Sequence, residues 1–184
     1  MKIIKTPIKD LLIIEPKVFE DERGYFFESY NKSSFEKLGL KYNFVQDNES
    51  YSKFGVFRGF HFQKPPMAQS KLVRVVKGKV IDIAIDLRYN SPTYKKFYWI
   101  ELSEENKLQF LIPRGFAHGF LVLSEYAIFQ YKVDNFYSPE HNGGINIFDP
   151  DINFPIEKFI DKNKLIISNK DKNLPFLRDI RPIF

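Results

Sequence analysis

Short runs of alternating apolar and polar residues, separated by glycine and proline, dominate the chain from residue 56 onward. Over residues 79–87, the isoleucines and Leu87 alternate with Asp82, Ala84 and Asp86, and this period of two predicts a half-buried β-strand. Similar runs predict further strands over residues 11–19, 25–30, 72–76, 98–102, 109–112, 120–123 and 127–133.

The spacing of these runs indicates the fold class. Gly78 separates the runs at 72–76 and 79–87, which predicts a hairpin between them. Short strands at regular spacing, with few helical stretches, are typical of an all-β antiparallel sandwich or barrel. A closed double-sheet barrel of this size has room for one small ligand inside.

One short helix is marked near the N-terminus. Ser33 is a candidate N-cap, Glu36 completes a capping box, and Gly39 stands where a C-terminal cap belongs. From residue 151 the pattern weakens and prolines recur. We expect this tail to wrap the barrel with irregular or short helical segments.

The composition narrows the possible functions. The 184 residues, 43 % of them hydrophobic, predict a single domain over 1–184 with a large core. Without cysteine there is no disulfide or thiolate chemistry. Neither a membrane-length apolar run nor a signal peptide is evident, which predicts a cytoplasmic protein with no membrane partner. The net charge of +5 is spread among acids without a nucleic-acid motif, and it suits a small polyanionic substrate.

Two of the three histidines lie in segments suited to chemistry. His61 follows Arg58 and Gly59, and His118 follows Arg114 and Gly115. An imidazole beside an arginine and a glycine can bind an anion and move a proton near neutral pH. Either histidine alone would as readily be a structural residue. The third histidine lies in a glycine-rich loop and is expected at the surface.

Two strand positions carry polar side chains on apolar faces. Lys71 shares its face with Val73 and Val75, and Tyr131 shares its face with Phe129. Each polar side chain therefore lies either at a strand end in water or inside a ligand cavity.

Together these segments resemble the dTDP-4-dehydrorhamnose 3,5-epimerase family, whose members are cupin-type jelly rolls. The resemblance extends over nearly the whole chain in order. It rests on the motifs Phe19-x-Asp21-x-Arg23-Gly24-x-Phe26-x-Glu28, Phe44-Val45-Gln46-Asp47-Asn48-Glu49-Ser50, Arg58-Gly59-x-His61-x-Gln63, Lys71-Leu72-Val73-Arg74, Asp82-Ile83-Ala84-Ile85-Asp86-Leu87-Arg88, Ile112-Pro113-Arg114-Gly115-Phe116-Ala117-His118-Gly119, Tyr131-Lys132 and Ser168-Asn169-Lys170-Asp171.

The resemblance implies an isomerase that needs no cofactor and no metal and acts on a nucleotide-linked 4-keto sugar, for surface polysaccharide biosynthesis. It implies that His61 is the general base, held by Asp171. Lys71 would stabilise the enolate oxygen, and Tyr131 would return a proton to the opposite face of the sugar. A positioned base of this kind contributes about 10²–10⁴-fold to the rate.

The resemblance also implies binding residues and a homodimer. Arg23 and Arg58 would hold the diphosphate, and the Arg23 segment would enter the neighbouring subunit's site. The other positions expected to contact substrate are Phe19, Phe26, Glu28, Gln46, Asn48, Asp82, His118 and Tyr137. Of these, Phe19 and Tyr137 would stack on the nucleotide base, and His118 and Asp82 would have supporting roles.

The sequence leaves several alternatives open. Phe60 replaces the leucine usual in the family, and the tail lacks the usual tryptophans. The nucleotide could be dTDP or GDP, the sugar a hexose or heptose, and inversion could occur at C3, C5 or both. A 3,4-ketoisomerase, a non-catalytic sugar-nucleotide-binding jelly roll and a metal-dependent cupin oxygenase are the rival classes. The oxygenase would need a histidine cluster that the motifs do not supply.

Overall fold

The computed structural model describes residues 1–184 as a protein built mainly of strands. The strands are β1 (Lys2–Lys5), β2 (Leu12–Glu15), β3 (Phe19–Asp21), β4 (Gly24–Phe26), β5 (Gln46–Lys53), β6 (Val56–Gln63), β7 (Lys71–Lys77), β8 (Lys79–Asp86), β9 (Phe97–Ser103), β10 (Gln109–Ile112), β11 (Phe116–Val122), β12 (Tyr126–Val133), β13 (Asn142–Gly144) and β14 (Ile166–Ile167). The α-helices are α1 (Lys32–Lys37) and α2 (Asn169–Lys172). Four 3-10 helices occupy Pro139–His141, Ile156–Lys158, Lys162–Lys164 and Leu177–Asp179.

Two large sheets form the body of the protein. The first sheet has the strand order β1-β2-β10-β7-β12-β5, and the second has the order β13-β6-β11-β8-β9 with β14 added beside β6. All pairs in the two sheets are antiparallel except β14 with β6. The strands β3 and β4 form a separate hairpin. The predicted all-β jelly roll is confirmed.

A core fills the space between the two sheets. The first sheet contributes apolar side chains from β2, β7, β10 and β12, and the second contributes them from β8, β9 and β11. The main members are Ile13, Val73, Val75, Phe110 and Phe129 from the first sheet, and Val80, Ala84, Leu102, Phe120 and Val122 from the second. The face of β7 predicted to hold Lys71 with Val73 and Val75 is the one that points into this interior.

A second core lies on the outer face of the second sheet, beneath the C-terminal tail. Ile81, Ile83 and Ile85 of β8 pack there against tail residues that include Phe154 and Ile156. The tail thus wraps the barrel as predicted. The prediction that β8 is half-buried is wrong, because the tail covers one face and the other points between the sheets.

The hairpin predicted around Gly78 is also wrong. The strand β7 pairs with β10 and β12 in the first sheet, whereas β8 pairs with β11 and β9 in the second. Gly78 therefore carries the chain from one sheet to the other. Its φ of 82° and a Cβ position 2.1 Å from the carbonyl oxygen of Tyr126 both require glycine.

The N-terminal helix is present, but its predicted cap is wrong. The helix begins at Lys32, and Asn31 is the N-cap, since its side-chain oxygen accepts the backbone N–H of Ser34 at 3.1 Å. Asparagine is as good a cap as serine, and it comes first along the chain. The predicted end is confirmed, because the backbone N–H of Gly39 donates to the carbonyl of Glu36 at 2.9 Å. No helix is long and apolar enough to cross a membrane.

Candidate active site

Two glycines bring the histidine segments together. His61 on β6 is paired with His118 on β11, and the register shifts just beyond this pair. Gly59 has a φ of 143°, and a Cβ there would lie 2.6 Å from the Cα of Gly119. Because both positions lack side chains, the strands approach closely and the two imidazoles become neighbours lining one cavity.

His61 is paired with a carboxylate from the tail. Its Nε2 lies 2.8 Å from Oδ1 of Asp171, and Nδ1 makes no hydrogen bond within the chain. Asp171 sits in the first turn of α2, where its N–H donates to the N-cap hydroxyl of Ser168. Burial raises the pKa of Asp171, but hydrogen bonds from His61 and the Gly59 N–H outweigh burial and leave it below its usual value. The carboxylate accepts Nε2–H and leaves Nδ1 as the free base.

Lys71 lies at the start of β7 and points into the same cavity. The ammonium makes no hydrogen bond or ion pair within the chain, and it lies 6.0 Å from the centre of the Tyr131 ring. Burial lowers the pKa of Lys71 to about 8, although the charge of Asp82 acts in the opposite direction. At neutral pH the site therefore holds an ammonium that no carboxylate contacts directly, which suits a developing oxyanion.

Tyr131 on β12 forms the wall beside Lys71. It is paired with Val73 across β7 and with Asn48 across β5, so these side chains share the interior face. Burial raises the pKa of Tyr131, against the opposing charge of Arg58. The phenol therefore stays protonated at neutral pH and is available as an acid.

The cavity enclosed by these groups has a volume of about 580 Å³. This is the range of small-molecule sites. Of the predicted site residues, the cavity wall contains His61, Lys71, Tyr131, Asp171, Arg58, Asn48 and His118.

The second histidine is buried in the wall of the cavity. Nε2 of His118 lies 3.0 Å from both carboxylate oxygens of Asp82, and its ring stacks against Phe129. Burial lowers the pKa of His118 despite the nearby carboxylate. His61 and His118 thus each have a carboxylate of their own. No group of three or more His, Cys, Asp or Glu side chains is placed to hold a metal ion.

An adjoining cavity of about 360 Å³ contains the predicted binding residues Gln46 and Tyr137. It shares His61, Lys71 and Tyr131 with the main cavity, so the two volumes form one continuous site. Such a shape is suited to an elongated ligand whose two ends differ in chemistry.

Four of the predicted binding residues lie away from this site within the protomer. Phe19, Arg23 and Phe26 line a surface pocket on the β3–β4 hairpin. Glu28 accepts a hydrogen bond from the Asn31 side chain beside α1. The hairpin is exposed, and Arg23 is paired there with Asp21. A protomer by itself therefore does not bring these four residues to His61.

Sequence reasoning missed several residues of the site. Lys170 lines both cavities, and Ser52 accepts a hydrogen bond from Nε of Arg58 at 2.9 Å. Lys170 lies between the motif residues Ser168 and Asp171, and its position next to Asp171 could have indicated that it lies in the site. Ser52 belongs to β5, which was not predicted as a strand.

Comparison with known proteins identifies the family. A sequence model of dTDP-4-dehydrorhamnose 3,5-epimerase matches residues 5–179. The chain belongs to the dTDP-4-dehydrorhamnose 3,5-epimerase family. The match extends from before the β3–β4 hairpin to beyond Asp171, so every predicted site residue lies within it.

Individual members of this epimerase family are similar to this chain in sequence and in fold. The dTDP-4-dehydrorhamnose 3,5-epimerase of Methanothermobacter thermautotrophicus is 49 % identical over 185 residues, covering 100 % of this chain and 97 % of the relative. The crystal structure of the Elizabethkingia anophelis epimerase is 56 % identical with a TM-score of 0.92, covering 97 % of each chain. The Legionella pneumophila dTDP-6-deoxy-D-glucose-3,5-epimerase, solved with dTDP-4-keto-L-rhamnose, is 44 % identical with a TM-score of 0.92, covering 98 % of this chain and 94 % of that one.

Proposed function

We propose that this chain is a cofactor-independent 3,5-epimerase of a dTDP-linked 4-keto-6-deoxyhexose. The observation that carries the proposal is the arrangement of a histidine–carboxylate pair, a buried ammonium and a protonated phenol around one cavity. The names of the relatives favour dTDP over GDP and the double epimerase over a single one. The ketoisomerase and binding-module alternatives lose support for the same reason.

The chemistry requires only proton transfers. Nδ1 of His61 takes the proton from a carbon next to the C4 ketone, and the electron pair of that C–H bond moves onto the C4 oxygen. The Lys71 ammonium stabilises this enolate. Tyr131 then delivers its hydroxyl proton to the opposite face of the same carbon, and the ketone re-forms. The tyrosinate regains a proton from solvent and the imidazolium loses one, after which the same steps invert the second carbon.

Substrate binding uses the two ends of the continuous site. Arg58, held by the buried Ser52, presents guanidinium donors suited to the diphosphate. Gln46 and Asn48 are joined by a hydrogen bond of 2.9 Å and offer amide groups to the sugar or phosphate oxygens. Tyr137, which is 56 % exposed, offers a ring on which the nucleotide base stacks. His118 and Asp82 support the cavity wall.

The protein acts as a homodimer in this proposal. The β3–β4 hairpin exposes Phe19, Tyr25 and Phe26 together with Arg23, which is an unusual concentration of apolar surface for a free arm. If the hairpin reached into the site of the neighbouring subunit, that subunit would cover these aromatic rings. It would also bring Arg23 to the diphosphate, with Phe19, Phe26 and Glu28 beside the nucleotide.

The activity is tested by incubation with a dTDP-4-keto-6-deoxyhexose in D₂O. We expect deuterium at both C3 and C5 and inverted ring couplings in the NMR spectrum. Label at one carbon only would make the protein a single epimerase. A ketone displaced to C3 would identify a ketoisomerase, and no label at all would contradict the proposal.

Tyr131→Phe tests whether Tyr131 is an acid separate from the base His61. The variant keeps the ring in its wall but removes the proton that the phenol supplies. We expect the rate of inversion to fall about 10²-fold or more, while deuterium still enters from the His61 side. NMR of the label and of the couplings in one sample measures both. Equal losses of exchange and inversion would show that Tyr131 is not the separate acid. Tyr126→Phe on the same strand is the control.

The proposed reach of the β3–β4 hairpin into the neighbouring subunit is tested by mixing two inactive variants. In Arg23→Ala each site lacks one of the two arginines that hold the diphosphate, and in His61→Ala each site lacks its base. A mixed dimer has one site with both residues intact if Arg23 acts in the partner's site. We therefore expect mixing, with subunit exchange, to restore up to about half of the wild-type activity per mixed dimer. No recovery in a verified mixed dimer would show that Arg23 acts within its own protomer.

A further inference from the structure

The carboxamide of Gln63 is fully engaged in hydrogen bonds although no role in the reaction falls to it. Gln63 ends β6 and is only 4 % exposed. Its Nε2 donates to the carbonyl of Met67 at 2.6 Å and to the carbonyl of Phe136 at 3.0 Å. Its Oε1 accepts the backbone N–H of Ser138 at 2.6 Å. A buried amide with every strong bond satisfied fixes the groups around it.

Two of these three bonds bracket a single residue. The carbonyl of Phe136 and the N–H of Ser138 lie on either side of Tyr137, so Gln63 contacts the backbone just before and just after it. The N–H of Tyr137 itself donates to Oε1 of Gln46 at 3.4 Å. The side chain of Tyr137 remains exposed to the adjoining cavity. An exposed ring on a loop is thereby given one fixed backbone conformation.

The same glutamine is tied to the base by strand geometry. His61 and Gln63 are two residues apart on β6, so both side chains point to the same face and their Cα atoms are about 6.6 Å apart. Any movement of the loop at residues 136–138 relative to the base has to break the Gln63 bonds. The backbone of Tyr137 is therefore held in place relative to the strand that carries His61.

We propose that Gln63 is a positioning residue that fixes Tyr137 relative to His61, so that a nucleotide base stacked on Tyr137 places the attached sugar at the catalytic base. This inference rests on the proposed function, since it takes the ligand to be a dTDP-sugar. Gln63 lines the adjoining cavity, but its side-chain nitrogen and oxygen are already bonded to backbone groups. It acts by holding Tyr137 in place, and this increases the affinity of the protein for the nucleotide.

The test is a double-mutant cycle between Gln63 and Tyr137. Gln63→Met keeps the length of the side chain and removes all three hydrogen bonds, and Tyr137→Ala removes the ring. The matched control is Gln130→Met, which deletes a glutamine bonded to Arg74 and Glu49 on the outer face of the first sheet. Calorimetric titration with dTDP gives the Kd, and deuterium incorporation from D₂O gives KM and kcat.

We expect Gln63→Met to raise the Kd for dTDP and the KM for the dTDP-sugar about tenfold, with kcat within about threefold of wild type. The Gln130→Met control should leave all three unchanged. In the double variant the Kd should equal that of Tyr137→Ala alone. Gln63 acts through the ring of Tyr137, so once the ring is absent, loss of the Gln63 hydrogen bonds has no further effect on affinity. If Gln63→Met does not fold, Gln63→Glu is used instead, because it retains the acceptor for Ser138 but sets a carboxylate against two carbonyls.

Three results would overturn the proposal. These are additive losses of affinity in the double variant, an unchanged Kd in Gln63→Met, and a fall in kcat as large as the rise in KM. Failure of the proposed function is seen separately in the wild-type protein, as an absence of dTDP binding or of label in the sugar.

Discussion

His61→Ala is expected to abolish deuterium incorporation at both C3 and C5 of a dTDP-4-keto-6-deoxyhexose. His61 has a free Nδ1 and is paired through Nε2 with the buried Asp171. The other cavity histidine, His118, is buried against Asp82, and burial lowers its pKa, which weakens it as a base. Loss of the general base removes a contribution on the order of 10²–10⁴-fold. NMR of the residual exchange over hours measures the loss.

The control for this variant is the third histidine. His141 is bonded to the hydroxyl of Ser138, outside the main cavity, so His141→Ala should retain exchange at both carbons. Binding of dTDP to His61→Ala should also persist, because the phosphate and base contacts are untouched. If His61→Ala kept near-normal turnover, the base would have to be another group.

Lys71→Met is expected to lower kcat by about 10²–10³-fold, equivalent to roughly 3–4 kcal/mol of transition-state stabilisation. The ammonium has no partner in the protein, and its charge is available to the enolate oxygen. Methionine has a similar shape, so the cavity wall is retained. Measurement of kcat by proton exchange gives the effect.

A stability measurement separates this catalytic role from a structural one. Burial disfavours the charged form of Lys71, as its lowered pKa indicates, so the ammonium is a cost to folding. The unfolding temperature of Lys71→Met at pH 7 should therefore equal or exceed that of wild type. A lysine whose loss reduces activity and stability together would be a structural residue.

The ionisation of Lys71 also predicts how kcat depends on pH. Below pH about 8 Lys71 carries its proton and stabilises the enolate, and above it the charge is lost. We expect kcat of the wild type to fall as the pH rises through about 8. Between that pH and 10.5, the ordinary pKa of lysine, the unfolded chain binds more protons at this position than the folded one. This group alone therefore makes the folded state more stable as pH rises through that interval.

The strand β5 shows where sequence patterns fail. Its sequence, Gln-Asp-Asn-Glu-Ser-Tyr-Ser-Lys, has no apolar alternation and was not predicted as a strand. The inward-facing residues Gln46, Asn48 and Ser52 are polar, and they line the proposed binding site or hold Arg58 beside it. Side chains of β5 do alternate between the interior and solvent, but the residues on both faces are polar, so no apolar pattern marks the strand.

The strand β8 shows the opposite failure. Its apolar alternation was correctly assigned to a strand, yet the polar half of the pattern is also buried. Asp82 pairs with His118 between the sheets, and Asp86 accepts hydrogen bonds from Arg88, Ser91 and Thr93. Alternation reports that one face is apolar, but it says nothing of what covers the other face.

The sequence by itself determined the strand-rich fold class, most strand positions and the chemical groups of the site. The fold class and the strand positions follow from local periodicity, and the groups of the site follow from the resemblance to the epimerase family. Only the tertiary structure decided that β7 and β8 belong to different sheets, that β8 is the strand beneath the tail, and that His118 pairs with Asp82. Pairing between distant strands depends on which surfaces remain to be buried once the whole chain is assembled, and no local pattern contains that information.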